Sequence, residues 1–364
     1  MNCRALSAQE FHGGNASLRG RRRPVGCGSP ERVAVRAGAR VQFGPLRGAG
    51  ARGSFKHVTR ESTRGWRILR RRRSLPVGVG TTSVSLERSM PSSDSKRRED
   101  ESNADPVRSE YVLTKDWAGE HERLRLLEAT FDPLSMDAIR AAGIKRGSRC
   151  LEIGAGAGSI ARWCAEQAGD PSLVCATDMD TRLLTALSAD GLTVLQHDVL
   201  VDDFPPGSFD IVHARAVLEH IPAREDAIDR IVDWLTPDGA LVLVDCVSFP
   251  VFSSPNEVYR DAMRAWVEVL AITGTDYDWG RTFPEPLRRR GYRDVGAAAT
   301  AHVLRGGSPV ARFWSLTLES LRHRIVEAGL LSEVALDEAQ RLLADPEFWD
   351  FAPAFVAAWG RRPA

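Results

Sequence analysis

One stretch, CLEIGAGAGSIARW from Cys150 to Trp163, constrains the fold more than any other part of the chain. Cys150, Leu151 and Ile153 form a short apolar run that reads as a buried strand, with Glu152 standing where that strand is about to end. Gly154, Gly156 and Gly158 then let the backbone turn tightly and approach a ligand with no side chain in the way. From Ser159 the period becomes helical, with Ile160, Trp163 and Cys164 on one side. The start of that helix is expected to aim free N–H groups and a partial positive charge at whatever occupies the turn. A glycine turn of this kind serves a dinucleotide, a nucleoside, or tight strand-to-helix packing alone. The dinucleotide fingerprint needs its third small residue at position 159, where the chain has Ser159. An acid two positions before the first glycine also sits badly beside a pyrophosphate and suits a ligand with an ammonium group.

The residues that follow repeat the strand-then-helix rhythm. SLVCAT (172–177) is a buried-strand run ending at Asp178, where a carboxylate can accept both ribose hydroxyls or simply cap the next turn. LTVLQ (192–196) ends at His197 and Asp198, Phe209 to Val212 ends at His213, and ALVLVD (240–245) follows the turn Pro237-Asp238-Gly239. Helical stretches lie between, notably Arg224 to Leu235. Alternation at this spacing predicts an α/β, Rossmann-like, doubly wound and mostly parallel sheet with its ligand at the C-terminal strand ends.

Four signals in order, Glu152-x-Gly154-x-Gly156-x-Gly158, Asp178, Asp198 and FDIVHARAVLEHIP, make residues 145 to 250 resemble the class I S-adenosylmethionine-dependent methyltransferases. The resemblance implies S-adenosyl-L-methionine as cofactor and a seven-stranded sheet whose last two strands are an antiparallel pair. It implies that Gly154, Ala155 and Gly156 line the methionine part, with Glu152 near the ammonium. By the same resemblance Asp178 takes the ribose hydroxyls and Asp198 the adenine amino group, with Met179 and Val199 against the ring faces. The backbone near His213 and Ala214 would flank the transferring methyl. Methyltransferases acting on exocyclic base nitrogens often carry an N-P-P-Y type motif after the fourth strand, and HARA stands there instead. Within the family the chain is most similar to ubiquinone/menaquinone-type and bacterial secondary-metabolite enzymes, which implies a small hydrophobic or aromatic acceptor.

Beyond the fifth strand, Ser254-Pro255 is expected to open a helix with Tyr259, Ala262, Met263, Trp266, Val267 and Leu270 as its apolar stripe, closing at Gly274. A second runs from Ser308-Pro309 to Gly329 and a third from Ser332 to Leu343. Val295 to Leu304 and Phe351 to Trp359 are expected to supply the last two strands, leaving 305 to 346 as a helical lid insertion. Trp266, Trp279, Phe283, Phe313, Trp314 and Trp349 are more aromatic surface than a cover needs, which points to a closed, largely apolar pocket for a small molecule. Before the glycine turn, Ser109 to Ala142 reads as helical with a break at Asp132-Pro133; Tyr111, Trp117 and Arg123 are candidates to close over a ligand. A hydroxyl acceptor needs its proton removed, for which His213 and His220 are the candidate bases, with Asp245 a third. No two-acid metal cluster is evident, and no metal is expected.

The net charge of +1 conceals two regions of opposite sign. Residues 1 to 89 hold 19 Lys and Arg against 4 Glu and no Asp, while the remainder is acidic by 14 charges. The basic region lacks any sustained period and is expected to be disordered. It reads as an organelle transit peptide, a nucleic-acid-binding arm, or the product of a start placed upstream of Met90; the composition changes sharply at Met90, which favours the last. The four expected segments are therefore the Arg-rich extension 1–89, a helical segment 90–144, the cofactor-binding core 145–250, and 251–364 with the lid and last strands. The acidic balance of the folded part argues against nucleic acid as its partner. No run approaches the roughly 18 apolar residues of a membrane span, and the six cysteines show no metal spacing and read as reduced core thiols of a cytoplasmic protein. A monomer or homodimer is expected.

Overall fold

The computed structural model describes residues 69–70 and 118–363, all within one unit, Ser62–Ala364. Tyr111, Trp117 and nearly all of the Arg-rich extension lie outside the described residues. Leu69–Arg70 departs from the expected disorder, pairing antiparallel with Asp202–Asp203.

The strands are β1 (Cys150–Ile153), β2 (Val174–Asp178), β3 (Thr193–Gln196), β4 (Phe209–Arg215), β5 (Leu235–Val247), β6 (Arg293–Thr300) and β7 (Ala354–Arg361), in the spatial order β3-β2-β1-β4-β5-β7-β6. β1 to β5 run parallel, and β7 inserts antiparallel to both β5 and β6. The seven-stranded, mostly parallel sheet expected from the sequence is the sheet observed. Its central strands β1, β2 and β5 carry apolar runs because both of their faces are covered. Along β5, Ala240, Val242 and Val244 pack into one core, while Leu241 and Leu243 pack into the other.

The helices are α1 (Glu120–Ala142), α2 (Ser159–Ala168), α3 (Thr185–Ala189), α4 (Arg224–Trp234), α5 (Glu257–Ala271), α6 (Glu285–Arg288), α7 (Pro309–Glu327) and α8 (Glu333–Ala344). α1, α2, α5, α7 and α8 cover the first face; α4 and α6 cover the second. α7 and α8 lie in the connection between β6 and β7.

Three local expectations are corrected. Pro133 does not break the first helix; α1 runs through it. A proline inside a helix removes one backbone hydrogen bond, but here Phe131, Ser135, Ala138 and Ile139 are buried along the same face and hold the helix to the sheet. α5 begins at Glu257, two residues after Pro255, because the Asn256 side chain accepts from Tyr259 N at 3.0 Å and fixes the start there. The expected strand Val295 to Leu304 is split: β6 ends at Thr300, and Val303–Arg305 pairs with Trp349–Phe351 in a separate ribbon. That ribbon leaves Trp349 60% exposed with Arg305 over its ring, so it is no part of a closed aromatic cover.

Phe131 is fully buried and stacks on Phe355 of β7 at 3.9 Å, joining α1 to the antiparallel strand. Phe131→Ala is expected to cost about 3–5 kcal/mol of stability, read from the urea midpoint; an unchanged midpoint would show that α1 is held elsewhere.

Candidate functional site

The backbone after β1 takes positive φ at Gly154 (+66°), Gly156 (+61°) and Gly158 (+89°). Gly154 is the most constrained, since a Cβ there would lie 2.3 Å from Val217 Cγ2. Ala155 N donates to Thr177 O at 2.8 Å, tying the turn to the neighbouring strand. Gly156 N donates to Asp178 Oδ2 at 3.0 Å, and Asp180 N donates to Asp178 Oδ1 at 2.9 Å. The carboxylate at the end of β2 therefore holds the glycine turn in place. Asp198, two residues after β3, is fixed similarly, with Oδ1 accepting from Leu200 N at 3.0 Å.

The start of α2 differs from expectation. Ser159 N donates to Glu128 Oε1 at 3.3 Å, and Ser159 Oγ bonds Asp132 Oδ1, which also accepts from Arg215 at 2.6 Å. Side chains of α1 thus meet the positive end of α2. Burial, then the charge of Asp132, raises the Glu128 carboxyl.

A cavity of about 470 Å³ opens over the C-terminal strand ends. Glu152, Gly154, Ala155, Gly156, Asp178, Met179, Asp198 and Val199 all line it, so the sequence-expected residues on three strand ends converge. His213 and Ala214 do not line it, since β4 continues past them to Arg215. In the register of the parallel pair, His213 stands opposite Glu152, and His213 Nδ1 lies 2.7 Å from Glu152 Oε2 with the ring fully buried. His213 is therefore not available to an acceptor in the cavity. Asp245 is likewise buried and outside the lining.

The other half of the cavity is walled by Leu124, Leu127, Trp266, Phe313, Trp314 and Phe355. Of the expected aromatics, Trp266, Phe313 and Trp314 are here; Trp279 and Phe283 pack into the core on the opposite face. Arg123 lines the wall, bound twice by Glu120 at 2.7 Å. His220 also lines it, with Nδ1 3.0 Å from Thr275 Oγ1 and Nε2 3.4 Å from Glu219 Oε1. Burial, assisted by Arg123 and Arg224, lowers His220 to about 4, which leaves the ring neutral at neutral pH. Glu120, Glu219 and Tyr277 were missed in the sequence; the signal for Glu219 was an acid embedded in the apolar run AVLEHIP.

These residues are matched by a family profile described as methyltransferase domain, over residues 120–296. An uncharacterized methyltransferase of Mycobacterium bovis is 30% identical over 153 residues, covering 41% of this chain and 74% of that protein. Methyltransferase str2 of Strobilurus tenacellus is 29% identical, over 47% of this chain and 62% of its own length, and str3 of the same fungus is 40% identical over 28% and 36%. The chain thus spans less than two thirds of these two fungal relatives. Among solved structures, a phosphoethanolamine N-methyltransferase of Haemonchus contortus aligns over 71% of this chain and 61% of its own, at 20% identity and a TM-score of 0.45. The chain belongs to the class I S-adenosylmethionine-dependent methyltransferases. Among the described residues no cluster of three or more metal-ligating side chains occurs, and no helix is long and apolar enough to cross a membrane.

His197 lines the cavity beside Asp198, buried and stacked on Phe204 at 4.9 Å, and neither ring nitrogen has a partner among the described residues. Burial lowers it to about 4. An unfolded histidine binds its proton near 6.5, so the unfolded chain binds more protons between those values and this ring costs stability as pH falls from about 6.5 towards 4. His197→Phe is expected to gain on the wild type over that window, by up to about 3 kcal/mol at its acid end. Urea unfolding at a series of pH values checks this; a pH-independent difference would contradict it.

Proposed function

We propose that the chain transfers a methyl group from S-adenosyl-L-methionine to the hydroxyl oxygen of a small, largely hydrophobic or aromatic acceptor. The observation that carries this reading is the single continuous cavity, polar at Asp178 and Asp198 and aromatic at Trp266 and Phe313. The residues fit the cofactor. Two carboxylates lie at adjoining strand ends, and Gly154 and Gly156 have no side chains to obstruct a close approach. Asp178 would hold the ribose hydroxyls, Asp198 the adenine amino group, and Met179 and Val199 the ring faces. Glu152, Gly154, Ala155 and Gly156 would hold the methionine part.

When bound, S-adenosylmethionine supplies a methyl group activated by a cationic sulfur. What remains for the protein is alignment and exclusion of water. Trp266, Phe313, Trp314 and Phe355 offer flat apolar surface to orient an acceptor of matching shape. His220 is the ring on that wall, and being neutral it can accept the hydroxyl proton.

Two measurements test this. Asp178→Ala is expected to weaken S-adenosylhomocysteine binding by roughly 1–3 kcal/mol; an unchanged dissociation constant would remove Asp178 from the site. Full-length protein given methyl-labelled S-adenosylmethionine and a cell extract is expected to label the small-molecule fraction. Label confined to RNA or protein would overturn the acceptor class.

A further inference from the structure

Two indole N–H groups in the aromatic half of the cavity have no hydrogen-bond partner among the described residues. They belong to Trp266 of α5 and Trp314 of α7, which both line the cavity and are almost wholly buried. Neither Nε1 is exposed. The two rings meet edge to face, with centroids 4.8 Å apart and planes at 71°. Tyr277 lies against Trp266 at 4.2 Å, and Phe313 meets Trp314 edge-on at 4.9 Å. The rings packed on the two indoles are therefore aromatic, and an aromatic face is a weak acceptor beside an oxygen.

A tryptophan N–H donates and cannot accept, and a buried one ordinarily finds a partner. Polar groups nearby in the lining are turned to other partners. Glu120 accepts both bonds from Arg123 at 2.7 Å, and Thr317 Oγ1 donates to Phe313 O at 2.9 Å. The backbone carbonyls around Trp266 and Trp314 are engaged within their helices. Leaving two such donors unpaired destabilises the protein, and a ligand oxygen that reaches them recovers the loss.

We propose that Trp266 and Trp314 are specificity residues for the acceptor, and that the acceptor carries a carbonyl oxygen which takes a hydrogen bond from one or both indole N–H groups. This rests on the reading of the aromatic half as the chamber that receives the acceptor. A carbonyl oxygen has two lone pairs and no proton, so it suits donors that come as a pair. A hydroxyl there would bring an O–H that neither indole can accept. The oxygen enters by displacing the ring edges that cover the two nitrogens, so the bond forms only with a molecule of matching shape. The carbonyl anchors one part of the acceptor while a hydroxyl on another part is methylated. A site with buried donors of this kind discriminates strongly against an analogue that lacks the oxygen, because the donors are then left unpaired.

The test uses the full chain with S-adenosylhomocysteine and three probes of similar shape. These are acetophenone, α-methylstyrene, in which a methylene replaces the oxygen, and α-phenylethanol, in which a hydroxyl does. Acetophenone is expected to bind about tenfold or more tighter than α-methylstyrene. By NMR of the isotope-labelled protein, it should also move one or both indole N–H resonances of Trp266 and Trp314 downfield. Trp266→Phe and Trp314→Phe each remove one of these resonances and so identify them; the variant lacking an engaged N–H should lose most of the preference for acetophenone. Equal affinity for acetophenone and α-methylstyrene, or two unmoved indole resonances, would overturn the proposal, and both are read on the unsubstituted protein whatever the variants' folding. Binding of α-phenylethanol as tight as that of acetophenone would overturn the choice of a carbonyl. Label absent from the small-molecule fraction of an extract, with acetophenone still preferred, would overturn the proposed acceptor class and leave the carbonyl site standing.

Discussion

The rest of the site depends on how closely two strand ends approach one another. β1 leaves the sheet at Gly154 with no room for a methyl group, because Val217 of the segment after β4 stands where a Cβ would go. Immediately after it, Ala155 and Gly156 on one side and Thr177 and Asp178 on the other lock the turn to β2. Within the sheet, Glu152 and His213 meet as lateral neighbours and join β1 to β4 through a buried polar contact. Such a contact costs desolvation but leaves few alternative registers for the two strands. With three strand ends fixed in this way, the cavity above them has a rigid polar floor, and the helices need only supply the apolar walls.

Much of this was legible in the sequence, because it is local. The glycine spacing, the apolar runs and the acids at Asp178 and Asp198 all depend on residues within a few positions of one another, and the structure brings them to one cavity. What failed depends on register and packing. His213 looked like a residue at a strand end because the apolar run stops at Val212, yet β4 continues to Arg215, where Ala216 departs with φ +51°. Once in the strand, its side chain faces Glu152 and not the ligand. Pro133 looked like a break because a local rule says so, whereas the buried face of α1 carries the helix across it. Trp349 was expected among the aromatics of a closed pocket, and no pattern within its neighbourhood reveals the ribbon that turns it outward.

The two halves of the cavity have different origins in the chain. The polar half is built from the parallel strands β1 to β3 and their following turns, all within 150 to 202. The aromatic half is assembled from α1, α5, α7 and β7, which are far apart in sequence and include the insertion between β6 and β7. Loops and insertions that carry binding residues on a fixed scaffold vary more freely than the scaffold itself, and the family profile ends at residue 296, before α7 begins. On that wall Arg123 is bound by Glu120, and His220 meets Thr275 and Glu219.

The central claim is that one cavity holds cofactor and acceptor end to end, with transfer taking place beside His220. A crystal structure of the full chain with S-adenosylhomocysteine tests it most directly. The account predicts the ribose hydroxyls at Asp178, the adenine at Asp198, and the sulfur directed into the chamber walled by Trp266, Phe313 and His220. A ligand bound away from Asp178, or a sulfur facing away from that chamber, would contradict it.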